Sequence, residues 1–250
     1  MREILYGRNA VRESLRAGRR KPYKLLLAEG VRQTDTIGQI VFLAQQAGVL
    51  IDHTDRRNLE RIGDVNHQGV ALEASEYPYS VLGDILDVAQ SRGEAPLLLL
   101  LDLLKDPQNV GSLLRTAEAV GAHGVVIQRR RAVGITPAVI HASAGAVEHL
   151  RVAQVTNVVD AIKRLKAYNV WVAGLEAVRG VQRYDQADLS GSLALVVGSE
   201  GDGMRRLVRE RCDFLLSIPM RGEVTSLNAS VAGSIVLYEA LRQRRLRAEA

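Results

Sequence analysis

Cysteine and large aromatic side chains are scarce in this sequence. Cys212 is the single cysteine among 250 residues, which excludes an internal disulfide framework and a zinc site built from cysteines. We expect its side chain to fill space in or near the core. The chain also holds only two Phe and one Trp, so the composition does not favour nucleic-acid binding by stacking several bases on aromatic side chains.

Long apolar runs are absent as well. The longest, Leu97–Leu101, is closed by Asp102 and is far shorter than the roughly 20 residues that cross a bilayer. The chain start, Met1-Arg2-Glu3-Ile4, has no apolar signal core, which predicts a cytoplasmic protein. No metal is expected, because three of the histidines lack metal-ligand spacing with carboxylates, namely His123, His141 and His149.

The positive charge is concentrated at the start of the chain. The formal net charge is +5 at pH 7, yet residues 1–32 hold nine Lys or Arg against three Glu, a local charge of +6. A localised basic face suits a polyanion such as nucleic acid, although basic faces that meet only solvent are common. The basic residues concerned are Arg2, Arg8, Arg12, Arg16, Arg19, Arg20, Lys21, Lys24 and Arg32.

Hydrophobic patterning divides the chain into a small first part and a larger second part. Residues 1–75 are typical of a small α/β domain, residues 76–95 of a connector, and residues 96–250 of strands alternating with amphipathic helices. Near-continuous apolar strands in such an alternation predict a parallel sheet covered on both faces. The predicted strands of the second part are Leu97–Leu101, Gly124–Ile127, Leu150–Ala153, Val170–Leu175, Ala194–Val197 and Phe214–Ile218. Its predicted helices are Asn109–Val120, Pro137–Ala142, Val158–Ala167, Met204–Glu210 and Ser226–Leu246.

Three polar segments follow predicted strands and lead into predicted helices, an arrangement by which α/β proteins bind ligands. In the first, Pro107 breaks the strand and Asn109 can cap the helix that carries Arg115. In the second, residues 195–204, a β-branched strand runs into a glycine-rich loop bearing Glu200, and glycines let the backbone approach a ligand closely. In the third, residues 218–230, Ser226 can cap the last helix. Taken singly, each segment is also typical of a tight turn or a capped helix start.

Together the three segments carry a set of known signature motifs. Asn109-x-Gly111-x-x-x-Arg115, Gly198-x-Glu200-Gly201-x-Gly203, and Ile218-Pro219-Met220 followed by Ser226-Leu227-Asn228 resemble the motifs of the SpoU/TrmH-type (SPOUT) RNA 2′-O-methyltransferases. The similarity extends over nearly the whole chain. Residues 6–11 and 66–70 resemble the small N-terminal RNA-binding domain of the ribosomal-RNA branch of that family. The late glycine-rich loop lacks the G-x-G-x-x-G spacing of a dinucleotide-binding dehydrogenase.

The resemblance implies a fold and a reaction. The fold is a small N-terminal α/β RNA-binding domain followed by a mostly parallel-sheet α/β methyltransferase domain with a C-terminal trefoil knot, which periodicity alone would not suggest. The cofactor is S-adenosyl-L-methionine, and the enzyme is a homodimer. The reaction is methyl transfer to a ribose 2′-hydroxyl of rRNA, namely a guanosine of 23S rRNA, either as naked RNA or within an assembling ribosomal subunit. A tRNA 2′-O-methyltransferase and a non-catalytic RNA-binding relative are the alternatives.

The resemblance also implies roles for individual residues. Cofactor contacts fall on Gly198, Ile218 and Leu227, largely through backbone groups, and Met220 and Ser226 line the same pocket. Arg115 is associated with activating the 2′-hydroxyl, although a guanidinium has a pKa above about 12. It either loses its proton in a desolvated cationic pocket or stays charged and stabilises the developing alkoxide. The further candidate catalytic residues, each also able to cap or complement a helix N-terminus, are Asn109, Glu200, Ser226 and Asn228.

Overall fold

The described residues, 2–178 and 180–249 of the computed structural model, form two β-sheets with helices between the strands. In chain order the strands are β1 (Arg2–Tyr6), β2 (Pro22–Ala28), β3 (Leu50–Thr54), β4 (Val70–Ser75), β5 (Leu97–Asp102), β6 (Gly124–Gln128), β7 (Val152–Val155), β8 (Trp171–Leu175), β9 (Gln182–Arg183), β10 (Leu193–Gly198) and β11 (Phe214–Ser217). The α-helices are α1 (Arg8–Ala17), α2 (Asp35–Gln46), α3 (Arg56–Glu60), α4 (Leu82–Arg92), α5 (Pro107–Ala119), α6 (Pro137–Ala142), α7 (Val158–Ala167), α8 (Arg206–Arg209) and α9 (Ala229–Glu249).

The larger unit, residues 79–134 and 150–249, is built on a parallel sheet. Its strand order is β7-β6-β5-β10-β8-β11-β9, and every neighbouring pair runs parallel. The two central strands, β5 and β10, are buried along their whole length. Strands buried on both faces read as continuous apolar runs, and the predicted α/β architecture with a parallel sheet is confirmed.

The core of this unit fills one face of the sheet with branched aliphatic side chains. Leu98, Val126 and Val196 from the strands pack with Ile85 of α4 and Ile162 of α7, and all five are fully buried. Cys212 packs against the same cluster, as expected. Burial raises the pKa of its thiol to about 12, so the side chain stays a neutral thiol near pH 7.

The smaller unit contains residues 2–78 and also Ile135–His149. Its sheet has the order β1-β4-β2-β3, in which β4 runs antiparallel to β1 and β2 while β2 and β3 are parallel. The sequence-based division placed residues 135–149 in the second domain. The structure groups them with the first unit, because the Arg20 guanidinium pairs with the Glu148 carboxylate at 2.9 Å and the Tyr77 hydroxyl donates to the Val147 carbonyl at 3.1 Å.

Four further differences separate the predicted elements from the observed ones. The connector predicted over residues 76–95 holds α4, in agreement with the short helix expected near Val81–Gln90, but Leu82 of this helix is buried in the core of the larger unit rather than in a separate linker. The last helix begins at Ala229 rather than Ser226, and the helix predicted over Met204–Glu210 is confined to α8. Strands β1 and β9 and helices α1 and α3 were not predicted: β9 and α3 are too short to show a period, whereas α1 carries an amphipathic pattern that was overlooked.

Two features are absent from the described residues. No helix among them is long and apolar enough to cross a membrane. No group of three or more His, Cys, Asp and Glu within residues 2–178 and 180–249 is arranged to hold a metal ion. The trefoil knot stays a prediction from the resemblance.

Candidate active site

The carboxyl ends of the central strands meet at one edge of the parallel sheet. Gly198, the last residue of β10, lies opposite Asp102 at the end of β5, and Val197 lies opposite Leu175 at the end of β8. Ligands bind at this edge in open α/β sheets. A cavity of about 560 Å³ opens here, within the range of roughly 300–1,000 Å³ typical of small-molecule sites.

The cavity brings together residues from the second and third signature segments. All five predicted cofactor-binding residues line it, namely Gly198, Ile218, Met220, Ser226 and Leu227. Ser226 is also a candidate catalytic residue, and two further candidates, Glu200 and Asn228, line the cavity as well. Asn109 and Arg115 are not among the described lining residues, and they approach the site from α5 instead.

Gly198 stands where the glycine-rich loop folds back onto its own strand. The Ser199 and Gly203 backbones exchange two hydrogen bonds of 3.0 and 3.1 Å, and this pairing brings the Gly203–Met204 peptide against Gly198. A Cβ atom at Gly198 would overlap the Gly203 carbonyl carbon and the Met204 nitrogen. Gly203 has φ of +67°, a conformation that favours glycine. The loop therefore presents bare backbone to the cavity.

An ion pair between the buried Asp102 and the partly exposed Arg205, which the sequence did not reveal, holds the far end of this loop. Asp102 is fully buried at the end of β5. Its carboxylate accepts hydrogen bonds from the Arg205 backbone N–H at 2.9 Å and from the Arg205 guanidinium at 2.9 and 2.6 Å. Charge-assisted bonds of this kind are roughly twice as strong as neutral ones. Asp102 thus fixes the chain directly after Met204 to the central strand.

Asn109 joins the three signature segments through its amide group. Its Nδ2 donates to the Glu200 carboxylate, and also to Asp106 Oδ2 at 2.7 Å. Its Oδ1 accepts a hydrogen bond from Asn228 Nδ2 at 2.9 Å. An amide has two donor hydrogens and one acceptor oxygen, so Asn109 uses all three functions to hold Glu200 and Asn228 at the cavity.

Both predicted helix caps are corrected. Asp106, not Asn109, caps α5, because its carboxylate accepts from the Gln108 and Asn109 backbone N–H groups. Asn228, not Ser226, caps α9, because its Oδ1 accepts from the Ser230 and Val231 backbone N–H groups at 2.9 and 3.3 Å. The Ser226 side chain is exposed in the cavity wall and takes no part in capping.

Arg115 lies on an exposed face of α5. It follows Asn109 by six residues, which places it about 9 Å further along the helix axis and roughly 120° around it. Within the described part of the chain its guanidinium makes no hydrogen bond or ion pair. Arg115 therefore presents a free cation outside the cavity.

Glu176 is a cavity residue that the sequence analysis missed. It directly follows β8 and lines the cavity beside Gly203. Burial raises the pKa of its carboxyl group, while Arg209 and a hydrogen bond from the Met204 backbone lower it. The available signal was its position, because a carboxylate directly after a parallel strand lies at the ligand-binding edge of the sheet.

Part of the N-terminal charge holds the smaller unit together. The Arg20 side chain is 1% exposed and lies between Glu3 at 2.7 Å and Glu148 at 2.9 Å. The Arg19 guanidinium donates to the Tyr77 hydroxyl at 3.1 Å and to the Glu148 carbonyl at 3.2 Å. The basic face expected from nine residues is thus smaller than the sequence suggested, and its exposed members are Arg2, Arg16, Lys21 and Arg32.

Comparison with known proteins gives consistent matches over both units. Residues 4–80 match the model for RNA 2′-O ribose methyltransferase substrate binding, and residues 96–238 match the SpoU rRNA methylase family. The chain is 46% identical over 244 residues to the putative TrmH family tRNA/rRNA methyltransferase YacO of Bacillus subtilis, covering 97% of this chain and 96% of that one.

Solved structures show the same fold. The SpoU methyltransferase AviRb from Streptomyces viridochromogenes, crystallised with AdoMet, superposes with a TM-score of 0.80 at 24% identity, covering 98% of this chain and 91% of that one. The AdoMet-bound rRNA methyltransferase from Sinorhizobium meliloti superposes with a TM-score of 0.78 at 25% identity, covering 96% and 87%.

Proposed function

Because this chain belongs to the SpoU rRNA methylase family, we propose that it transfers a methyl group from S-adenosylmethionine to the ribose 2′-hydroxyl of a guanosine in 23S rRNA. The observation that carries the proposal is the cavity at the carboxyl edge of the parallel sheet. The second and third signature segments line this cavity, and Asn109 of the first segment is hydrogen-bonded to both of them.

The cavity suits S-adenosylmethionine in size and charge. The cofactor carries a sulfonium and an ammonium, and three carboxylates line the cavity: Glu176, Glu200 and Asp202. The lack of a Cβ at Gly198 lets the Gly203–Met204 backbone pack against the end of β10, and this packing shapes the loop side of the cavity. When bound, the cofactor supplies an electrophilic methyl group, and the transfer is an in-line displacement in which positioning accounts for much of the acceleration.

Arg115 acts on the substrate through its guanidinium, a planar cation with five N–H donors and no acceptor. We propose that this guanidinium binds the phosphate next to the reacting ribose. It also stabilises the 2′-oxygen, which becomes negative as the hydroxyl proton leaves for water. Asn109 and Asn228 hold Glu200 in place, and Ser226 contributes a hydroxyl to the cavity wall.

The variant Arg115→Lys tests whether the positive charge alone is enough for turnover or the planar shape of the guanidinium is also needed. Lysine keeps the positive charge but loses the planar, bidentate fork. We expect kcat to fall about 10- to 100-fold with the Kd for S-adenosylmethionine unchanged, because Arg115 lies outside the cavity. Arg211→Lys, at another exposed arginine, is the control and should keep full turnover. Unchanged kcat in Arg115→Lys would remove any special role for the guanidinium.

The separate N-terminal domain supports rRNA over tRNA as substrate, because residues 6–11 and 66–70 resemble the RNA-binding domain of the ribosomal-RNA branch. We further propose a cytoplasmic homodimer in which a second copy lies near Arg115, since that side chain is exposed and outside the cavity of its own chain. The RNA is either naked or part of an assembling ribosomal subunit.

Transfer of a labelled methyl group from S-adenosylmethionine tests both the proposed reaction and the proposed rRNA substrate. The acceptors are unmodified large-subunit rRNA, assembling large-subunit particles and unmodified tRNA, with Arg115→Ala as control. We expect label in 23S rRNA or its particles and loss of that label in the variant. Label in tRNA alone would support the methyl-transfer reaction but show that the substrate is tRNA rather than rRNA. No label in any acceptor, with S-adenosylmethionine still bound, would favour a non-catalytic RNA-binding relative.

A further inference from the structure

The only tryptophan of the chain lies on the surface. Trp171 is the first residue of β8 and its side chain is 62% exposed, although tryptophan is highly buried on average in folded proteins. Its backbone is fixed, because the Trp171 N–H donates to the Ser192 carbonyl at 3.0 Å and the residue pairs with Leu193 of β10. The indole thus projects from a rigid strand at the amino edge of the sheet.

A second cavity opens beside this side chain. Its volume is about 510 Å³, and it forms where β8, β10 and β11 begin, with Trp171, Leu193 and Phe214 in its wall. The amides of Asn169 and Gln182 line it as well. The first cavity lies at the opposite ends of the same strands, so the length of β8, about 13 Å, separates the two. A single flexible strand of nucleic acid can contact both.

A cation from the last helix completes the wall. Arg247 lines the cavity, and its guanidinium donates to the Ser190 hydroxyl at 3.1 Å. The end of α9 is held in place one turn earlier by Arg244, which donates to the Ala95 and Pro96 carbonyls at 2.7 and 2.9 Å. Asp188 is the one carboxylate among the described lining residues, and it already accepts hydrogen bonds from the Ser190 N–H and hydroxyl at 2.9 and 2.6 Å.

The second cavity combines an exposed indole on a rigid strand with amide groups and a guanidinium that is held in place. Groups of these kinds bind single-stranded RNA. Bases of every kind stack on aromatic side chains, and arginine pairs with the phosphates between them. We propose that this second cavity binds one unpaired nucleotide of the RNA substrate, with its base stacked on Trp171 and its phosphate at Arg247. The proposal rests on RNA being the substrate, as proposed above.

The single tryptophan provides its own probe, because light beyond the tyrosine absorption band excites only Trp171 in the full-length protein. Titration with a short single-stranded oligoadenylate should quench this fluorescence in a saturable manner, and a duplex RNA of equal length should not. Arg247→Gln should weaken the binding several-fold. This measurement needs no methyl transfer, so it can succeed or fail separately from the proposed function.

Steady-state kinetics supply the second test. Loss of one stacked base in Trp171→Ala should raise KM for rRNA about tenfold, with kcat and the Kd for S-adenosylmethionine unchanged, and Trp171→Phe should recover part of the affinity. The control is Tyr168→Ala, an aromatic residue 64% exposed and outside the described cavity lining. It should behave as wild type.

Three results would overturn the proposal. One is fluorescence that single-stranded RNA leaves unchanged. Another is an rRNA KM that Trp171→Ala leaves unchanged while methyl transfer remains active. The third is a change in sedimentation of Trp171→Ala without a change in RNA affinity, which would assign the patch to a protein interface. Failure of the proposed function looks different, since no RNA would then accept a methyl group from any variant.

Discussion

Asn228 Nδ2 donates a hydrogen bond to Asn109 Oδ1 at 2.9 Å, across 119 residues of sequence. The two side chains lie at the starts of two helices, since Asn109 is in the first turn of α5 and Asn228 is the cap of α9. The bond therefore fixes the first and third signature segments to each other at the carboxyl edge of the sheet. Glu200, held by the other side of the Asn109 amide, is fixed relative to both.

Asn109→Asp should break this arrangement without unfolding the helix. The new carboxylate cannot donate to Glu200 or Asp106, and it places a third negative charge between them. Aspartate in the first turn of a helix is itself favourable, so stability should change little. We expect kcat for RNA methylation to fall about 10- to 100-fold, measured with saturating cofactor. Gln108→Glu, at the exposed neighbouring position, should retain its rate. Wild-type turnover in Asn109→Asp would show that the amide does not organise the site.

Gly198→Ala should abolish high-affinity cofactor binding. The added Cβ would overlap the Gly203–Met204 peptide, so the loop must move, and such overpacking costs about 1–3 kcal/mol. Calorimetry should show a Kd for S-adenosylmethionine raised at least about tenfold, since about 1.4 kcal/mol corresponds to a factor of ten.

The matched control for Gly198→Ala is the same substitution at Gly83 in α4, where a new Cβ meets nothing within 4 Å. Alanine is favoured over glycine in a helix by about 0.5–1 kcal/mol, so Gly83→Ala should be slightly stabilised with unchanged binding. Equal cofactor affinity in both variants would contradict the role given to the close approach at Gly198.

Arg20→Met should severely destabilise the chain. The guanidinium and the Glu148 carboxylate are both almost fully buried, and burial raises the pKa of Glu148 while Arg20 opposes the rise. Removing one partner of such a pair costs about 3–5 kcal/mol, because the other charge is left unpaired. Urea unfolding measures the loss, and Arg16→Ala, at an exposed arginine, should stay within about 0.5 kcal/mol of wild type. The double variant Arg20→Met/Glu148→Leu should recover part of the loss, and no recovery would contradict an unpaired charge as its cause.

His123 should make stability fall on acidification. Its Nδ1 accepts a hydrogen bond from the Leu97 N–H at 2.9 Å, and its Nε2 lies 3.0 Å from Glu94 Oε2. Burial lowers the pKa of His123, and Glu94 opposes this. The unfolded chain then binds a proton near pH 6.5 that the folded chain does not bind, so stability decreases as the pH falls below about 6.5.

The difference between wild type and His123→Gln isolates this residue. The wild-type free energy of unfolding should fall more steeply between pH 7.5 and 5.5, by at most about 1.4 kcal/mol per pH unit for one proton. His53→Gln, at an exposed histidine of β3, should keep the wild-type slope. Parallel pH profiles for wild type and His123→Gln would show that the folded chain takes up the proton as readily as the unfolded one.

The sequence predicts well what depends on local pattern. The leucines of β5 identify a buried central strand, and the second and third motifs identify residues that line the cavity. The helix caps were wrong because several capping residues stand close together in each segment. For α5 the deciding signal was present, since Pro107 favours the first helical position and so makes Asp106 the cap. For α9, Ser226 and Asn228 are equally good caps, and only the structure separates them.

Residues that act through distant partners were not predictable. Asp102 looks like the polar end of a leucine strand, and its partner Arg205 lies 103 residues away. Residues 135–149 look like part of the second domain, because the groups that bind them, Arg20 and Tyr77, lie far earlier in the chain. A single sequence carries no record of such pairings, which arise when the sheets form.

Nucleoside analysis of the methylated RNA shows directly whether this protein methylates the ribose of a guanosine. Unmodified 23S rRNA, naked or in assembling particles, is incubated with the protein and S-adenosylmethionine, digested to nucleosides and examined by mass spectrometry, with Arg115→Ala in parallel. We expect 2′-O-methylguanosine with the wild-type protein and a large loss of that product with Arg115→Ala. A methyl group on the base, or equal product from both proteins, would contradict this expectation.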